Sequence, residues 1–155
     1  QLDWENVDLY ELAFTIKNDL TRRSQEEEVA VHIRGVHTKI RGVQQILYEM
    51  FFNICENAIK YNRPSGSVTV SIHSAESAVL EVTDTGIGIS PENQEKIFDP
   101  FYRVDKSRSR AMGGAGLGLA LVSEIARQHN GQVKVTQSSE KGSTIALILP
   151  ESTDY

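Results

Sequence analysis

The polar residues of one predicted helix have the types and spacing to bind a metal ion and phosphate. At 100° per residue, Asn57 lies about 40° from Asn53 on the helix surface. Lys60 and Glu56 lie about 20° and 60° to the other side, and the rest of the circumference is apolar. The Asn57 amide oxygen suits magnesium, and Lys60 offers a point charge to a phosphate. The alternative is a solvent-exposed polar stripe on a surface helix. When this motif is considered by itself, the alternative is the favoured interpretation.

A carboxylate at the predicted end of a strand could recognise an amino group. Asp84 is followed by Gly86 and Gly88, and glycines two residues apart let the backbone turn tightly and approach a ligand closely. A carboxylate only accepts hydrogen bonds, so it would bind the exocyclic amino group of adenine and repel a carbonyl oxygen there. For this motif in isolation, an ordinary turn between a strand and a helix is the favoured alternative.

A glycine-rich segment at residues 113–119 precedes a predicted helix and could bind an anion. Its sequence is Gly113-Gly114-Ala115-Gly116-Leu117-Gly118-Leu119. Bare backbone N–H groups and the positive end of a helix dipole attract phosphate. The P-loop pattern does not occur, and Leu119 stands where the dinucleotide fingerprint needs a small residue, which excludes both classes. A flexible hinge before a helix remains the alternative.

Length and composition are those of one ordinary domain. The 155 residues are 39% hydrophobic and 24% charged with a net charge of -5, which excludes disorder and fibre and disfavours nucleic acid as a partner. The single cysteine, Cys55, has no metal-ligand spacing and fits a reducing compartment. No aliphatic run could span a bilayer and no signal peptide is evident, so we expect residues 1–155 to form a single domain without direct membrane contact.

Hydrophobic periodicity predicts the elements that position these motifs. Helices are predicted over residues 8–23, 44–61, 90–98 and 117–129, and strands over residues 29–33, 68–72, 79–83, 132–137 and 144–149. The irregular segment over about 99–115, basic and ending in glycines, predicts a lid. Because strands and helices are grouped, we expect an α+β sandwich with a mixed sheet and helices on one face.

In order and spacing, four segments resemble the N, G1, F and G2 boxes of sensor histidine kinases. They are Asn53–Tyr61, Asp84–Gly88, Phe98–Arg103 and Gly114–Leu119. The helix that opens with Val7-Asp8-Leu9 and the closing Gly142-Ser143-Thr144 are also similar to that family's catalytic, ATP-binding domain. The resemblance implies a two-layer α/β sandwich of the Bergerat (GHKL) type, with a mixed, mostly antiparallel sheet and a mobile ATP lid.

The resemblance also implies a site for ATP and Mg2+. In the family, residues at these positions bind magnesium (Asn57), hold the adenine amino group (Asp84) and meet phosphates (Lys60 and Arg103, which we take as catalytic). The predicted nucleotide-binding residues are Asn53, Asn57, Lys60, Tyr61, Asp84, Gly86, Gly88, Tyr102, Arg103, Gly114, Gly116, Leu117, Gly118, Leu119 and Thr144.

The implied activity is transfer of the γ-phosphoryl group of MgATP to a histidine. The phosphoacceptor box is missing, and we interpret all four histidines as surface or strand residues without a catalytic role: His32, His37, His73 and His129. The acceptor is then expected on the protein's own upstream dimerisation and phosphotransfer domain, with a response regulator downstream. This places the chain in the cytoplasmic part of a bacterial receptor that we expect to be membrane-bound. Ala115 stands where relatives often carry Thr or Ser, so a hydroxyl contact to phosphate is lost.

Two other functions stay open. One is an ATPase of the gyrase and Hsp90 type, which places a glutamate base one helical turn before the magnesium asparagine. Asn53 occupies that place and cannot take a proton from water, although Glu56 lies nearby. The other is a nucleotide-sensing module without turnover.

Overall fold

The computed structural model describes residues 3–99 and 119–152. All of the predicted lid except Asp99 lies outside these ranges. Six of the predicted site residues also lie outside them: Tyr102, Arg103, Gly114, Gly116, Leu117 and Gly118.

The described residues form two sheets and one layer of helices. The strands are β1 (Glu5–Asp8), β2 (Ala30–Gly35), β3 (Lys39–Gly42), β4 (Ser67–Ser74), β5 (Ala78–Asp84), β6 (Gln132–Ser139) and β7 (Gly142–Leu149). The helices are α1 (Leu9–Asp19), α2 (Thr21–Glu26), α3 (Gln44–Lys60) and α4 (Ala120–Gln128). The main sheet has the order β2-β4-β5-β7-β6, and only β2 and β4 pair in parallel. The predicted α+β fold with a mixed, mostly antiparallel sheet is therefore confirmed.

The core forms where the apolar faces of the main sheet and the helices meet. In β4 and β5 alternate residues are buried, as the period of a half-buried strand requires: Val68, Val70, Ile72, Ala78, Leu80 and Val82. Helix α3 buries its apolar stripe against them: Leu47, Met50, Phe51, Ile54, Cys55, Ala58 and Ile59. Burial raises the pKa of the Cys55 thiol to about 12, so this cysteine is a packing residue at neutral pH. No helix in the described ranges is long and apolar enough to cross a membrane.

Strand ends differ from the sequence prediction by one or two residues, and three larger departures occur. The helix predicted over 8–23 is interrupted at Leu20, whose backbone is not helical, and α2 follows it. The helix predicted over 90–98 is two single-turn 3-10 helices, Pro91–Asn93 and Lys96–Phe98. Strands β1 and β3, which pair in a small separate sheet, were not predicted because four residues are too short to show a period.

His129 corrects one sequence-based interpretation, because it is neither a surface nor a strand residue. It lies at the end of α4 and is only 4% exposed. Its Nε2 accepts a hydrogen bond from Val43 N at 3.3 Å, and its Nδ1 lies 2.8 Å from Ile125 O. Since a carbonyl can only accept, Nδ1 carries the proton. The ring also contacts Trp4, at 4.9 Å between centroids. His129 thus joins α4 to the start of α3.

We expect His129→Phe to lower the free energy of unfolding by roughly 1–3 kcal/mol, because the Val43 N–H would lose its acceptor inside the protein. Urea denaturation measures this. His32→Phe makes the same change at an exposed position on β2, and it should shift stability by less than about 0.5 kcal/mol. Equal effects of the two substitutions would contradict the assigned role of His129.

Candidate nucleotide-binding site

A cavity opens between α3 and the ends of β5 and β7. Most of its walls are apolar, and its polar side chains are few, as is typical of a small-molecule site. Its lining residues are Ile54, Asn57, Ala58, Tyr61, Val82, Asp84, Ile87, Gly88, Ile89, Leu119, Ser143 and Ile145. The structure therefore brings together five residues of the predicted site at one cavity: Asn57, Tyr61, Asp84, Gly88 and Leu119.

The Asp84 carboxylate is the one acidic group that lines this cavity among the described residues. Its Oδ1 accepts hydrogen bonds from Gly86 N at 2.9 Å and Ser143 N at 3.3 Å. Its Oδ2 accepts one from Ser143 Oγ at 3.1 Å. These bonds fix the orientation of the carboxylate, and a carboxylate has about four lone-pair sites, which leaves capacity for a donor from a ligand.

Burial sets the electrostatics of Asp84. It raises the pKa of the carboxyl above its usual value, while the hydrogen bonds from Gly86 and Ser143 act in the opposite direction. The folded chain consequently holds this proton more tightly than the unfolded chain does, and stability falls as pH rises through the raised pKa. Ionising this carboxyl therefore costs more free energy in the folded chain than in the unfolded chain. A ligand that donates a hydrogen bond to it would offset this cost.

The turn after Asp84 needs both of its glycines. A Cβ on Gly86 would lie 2.4 Å from Tyr61 O, and a Cβ on Gly88 would lie 1.9 Å from Ser139 O. Gly88 also has a φ of +76°, a conformation that L side chains rarely adopt. The bond from Gly86 N to Asp84 shows that the ordinary turn proposed as an alternative is present. The same carboxylate nevertheless lines the cavity, so the turn and the site coexist.

The polar stripe of α3 is half-buried along its whole length, unlike the exposed stripe of the alternative interpretation. Asn57 lines the cavity, whereas Asn53, Glu56 and Lys60 do not line it as formed by the described residues. Lys60 Nζ lies 5.5 Å from the centroid of the Tyr61 ring, a cation–π contact at the end of the helix.

Tyr61 ends α3 and borders the cavity. Its side chain is largely buried, and this burial raises the pKa of its hydroxyl above the usual value. Its backbone carbonyl accepts a hydrogen bond from Ile87 N at 3.3 Å. Tyr61 therefore links the metal-binding stripe proposed on α3 to the turn that follows Asp84.

On β7, the polar residue at the cavity is Ser143, which the predicted set omits in favour of Thr144. Asp84 and Ser143 are direct partners in the β5–β7 register, and both face the cavity. The next residue, Thr144, has its Oγ1 2.9 Å from Thr83 Oγ1 and does not line the cavity. Alternation gives no signal here, because β7 is buried on both faces from Ser143 to Leu147. The available indication that Ser143 belongs to the site was its position, with Gly142, directly after a turn.

One group of three metal-binding side chains occurs among the described residues, away from the cavity. Asp8, Glu11 and His37 bring their ligand atoms within 4.8 Å of one another near the start of α1. Asp8 is already engaged, since its Oδ1 caps α1 and its Oδ2 lies 2.7 Å from His37 Nδ1.

Comparison with known proteins identifies the family. Residues 42–153 match the family described as histidine kinase-, DNA gyrase B-, and HSP90-like ATPase. The sensor histidine kinase RppB of Synechocystis sp. is 38% identical, over 96% of this chain and 33% of its own length. SenX3 of Mycobacterium tuberculosis, named a sensor-like histidine kinase, is 45% identical over 72% of this chain and 28% of its own. The chain spans about a third or less of these relatives.

Solved structures agree with this assignment. The mycobacterial sensor histidine kinase MprB superimposes with a TM-score of 0.79 at 28% identity, over 96% of this chain and 98% of that one. Full-length ShkA in complex with AMPPNP gives a TM-score of 0.84 at 25% identity, over 99% of this chain and 32% of that one. The chain therefore belongs to the family of histidine kinase-, DNA gyrase B- and HSP90-like ATPases, in the form of the ATP-binding domain of sensor histidine kinases.

Proposed function

We propose that this domain binds MgATP and presents its γ-phosphoryl group to a histidine on a separate dimerisation and phosphotransfer domain. The observation that carries the proposal is the half-buried Asp84 carboxylate, fixed by Gly86 and Ser143 at an apolar cavity that Asn57 also lines. An apolar cavity with one oriented acceptor fits a purine that offers an amino group.

The adenine base would lie between apolar walls. Ile54 and Ala58 of α3 form one side of the cavity, and Ile87, Ile89 and Ile145 belong to the turn and the sheet. The exocyclic amino group would donate to Asp84, a half-buried acceptor whose loss of hydration the protein's own hydrogen bonds compensate only in part.

Asn57 fits a magnesium ligand. Its side chain is half-buried at the cavity, and an amide oxygen is a hard, neutral donor. Magnesium usually keeps several waters and takes one or two protein ligands together with substrate phosphates, so a single amide on α3 suffices. When bound, the ion would neutralise charge on the phosphates. Lys60, with Asn53 one helical turn before Asn57, would contact the hydrated phosphate end from the same face of α3.

Residues outside the described ranges complete the proposed site. Arg103 and Tyr102 in the lid, and Gly114, Gly116, Leu117 and Gly118 in the glycine-rich segment, would close over the phosphates, as the family resemblance implies. Leu119, at the start of α4, is buried and lines the cavity. It would therefore connect the glycine-rich segment to the part of the site that holds the base.

The ionisable groups at the site favour transfer to histidine over hydrolysis of ATP. Asp84 is the one carboxylate at the cavity among the described residues, and its three hydrogen bonds engage it at the proposed base end. Asn53 cannot act as a base toward water. The described histidines do not line the cavity either, which supports an acceptor elsewhere in a longer protein. That protein would be a membrane-bound bacterial receptor whose partner is a response regulator.

Asn57→Ala should abolish magnesium-dependent ATP binding while the fold is kept, because the helix would lose its proposed metal ligand. Isothermal calorimetry with and without magnesium measures this. Asn18→Ala, on an exposed position of α1, is the matched control and should bind as the parent does. Parent-like MgATP affinity in folded Asn57→Ala would remove this residue from the metal site.

ATP should bind about tenfold to a hundredfold more tightly than GTP, because a charge-assisted hydrogen bond contributes roughly 1.5–3 kcal/mol and guanine would place a carbonyl oxygen against Asp84. The preference should fall as pH drops through the raised pKa of Asp84, since protonation replaces an acceptor by a donor. Asp84→Asn should blunt the preference at neutral pH. Competition binding measures all three, with circular dichroism to verify the fold. An unchanged ATP preference in Asp84→Asn would place base recognition elsewhere.

The isolated domain should hydrolyse ATP very slowly, yet transfer phosphate to a supplied helical domain that carries the acceptor histidine. Radiolabelled transfer and phosphate release, measured side by side, separate the two activities. Asn53→Glu should raise hydrolysis, because it places a carboxylate one turn before Asn57. Rapid hydrolysis by the parent without transfer would favour the ATPase alternative. Binding without either reaction would favour the nucleotide-sensing module.

A further inference from the structure

Strand β6 contains a bulge that changes which of its residues face the cavity side. Val135 pairs with Ile145, but Thr144 pairs with Gln137, so Thr136 is the extra residue. Before the bulge, Val133 and Val135 pack against the core. After it, Ser138 pairs with Ser143, the residue that holds Asp84. Bulges are over-represented next to active sites, where they re-aim a side chain.

The re-aimed Ser138 side chain contacts the turn that follows Asp84. Ser138 Oγ accepts a hydrogen bond from Ile89 N at 2.6 Å. On the other side of the same residue, Ile89 O accepts one from Gln94 Nε2 at 3.0 Å. Both backbone polar groups of Ile89 are therefore fixed by side chains, although Ile89 lies in a turn without regular structure of its own.

The same strand supports the turn one residue earlier. The carbonyl of Ser139 lies directly under Gly88, where a Cβ would approach it to 1.9 Å. Gly88 and Ile89 both line the cavity, whereas Ser138 and Ser139 do not. The end of β6 thus determines where one apolar wall of this cavity lies without lining the cavity itself.

We infer that Ser138 is a positioning residue for nucleotide recognition, which holds Ile89 in place as a wall of the cavity that would receive a purine base. The inference rests on the proposed function for the identity of the ligand. It differs from the role of Ser143, which acts on the carboxylate, because Ser138 acts on the backbone of the facing turn. Without the hydroxyl, the Ile89 N–H would have to bond water, and the wall would be free to shift away from the base.

Ser138→Ala and Ser138→Thr in the 155-residue chain test the inference, with Ser71→Ala as the control. Ser71 lies in β4 between the buried Val70 and Ile72 and therefore on the opposite face of the sheet. Hydrogen exchange by NMR measures the Ile89 amide without any ligand. Calorimetry measures ATP and adenosine binding, since adenosine carries the base without the phosphates.

We expect Ser138→Ala to speed exchange of the Ile89 amide about three- to tenfold and to weaken adenosine and ATP by the same factor, which is the effect of losing one ordinary hydrogen bond. Ser138→Thr keeps the hydroxyl, so its Ile89 amide exchange and its adenosine and ATP binding should match those of the parent. Ser71→Ala should change neither exchange nor binding. Faster exchange with unchanged adenosine binding would overturn the inference. So would a loss confined to ATP, because it would place the effect at the phosphates. A parent chain that binds neither adenosine nor ATP would instead overturn the proposed function.

Discussion

A carboxylate half-buried at an apolar cavity constrains the segments around it. Asp84 is partly withdrawn from water, which raises its pKa, and three hydrogen bonds from Gly86 and Ser143 compensate part of the cost of its charge. The donors are two backbone N–H groups and one hydroxyl, all neutral. A neutral set of partners orients the carboxylate without forming an ion pair that would compete with a ligand. The site therefore keeps an oriented hydrogen-bond acceptor, at a cost to the free energy of unfolding.

The Ser143 donors reach Asp84 only because β5 and β7, which are distant in sequence, pair at one end of the sheet, whereas Gly86 lies two residues after Asp84. Strand β5 delivers the carboxylate, β7 delivers Ser143 in register, and the turn after β5 folds back under Tyr61. Strand β6 then supports that turn through Ser138 and the carbonyl beneath Gly88. Since each of these contacts is made by backbone or by short side chains, small displacements of a strand would be felt directly at the cavity.

The helices that border the cavity are fixed by a contact at the ends of α3 and α4 that lie away from it. Helix α3 carries Asn57 near its C-terminal end, and His129 bonds Val43 N just before the helix begins. His129 ends α4, whose first flanking residue, Leu119, lines the cavity. The two helices that border the site are therefore joined at the ends away from it, which makes their relative position a property of the core and not of the ligand.

Much of this protein is determined by local sequence. The period of two in β4 and β5 and the period near 3.6 in α3 predicted the main strands and the long helix, because each buries a single face. The motif residues Asn57, Asp84 and Gly88 were found for a similar reason: residue type and spacing within one segment limit what a backbone turn or a helix face can present. The family resemblance of the ordered motifs then predicted the fold, which the structure confirms, and MgATP as the ligand.

Tertiary structure decided what depends on pairing between segments. Ser143, and not Thr144, faces the cavity because the β5–β7 register places it opposite Asp84, and a strand buried on both faces carries no alternation that reveals this. Ser138 reaches Ile89 because of a bulge whose effect is to exchange the two faces of β6. His129 is buried because Val43 and Trp4, both distant from it in sequence, pack against it. Sequence fixes periodicity within an element, but register, bulges and long-range hydrogen bonds are set by the free energy of the whole packed fold.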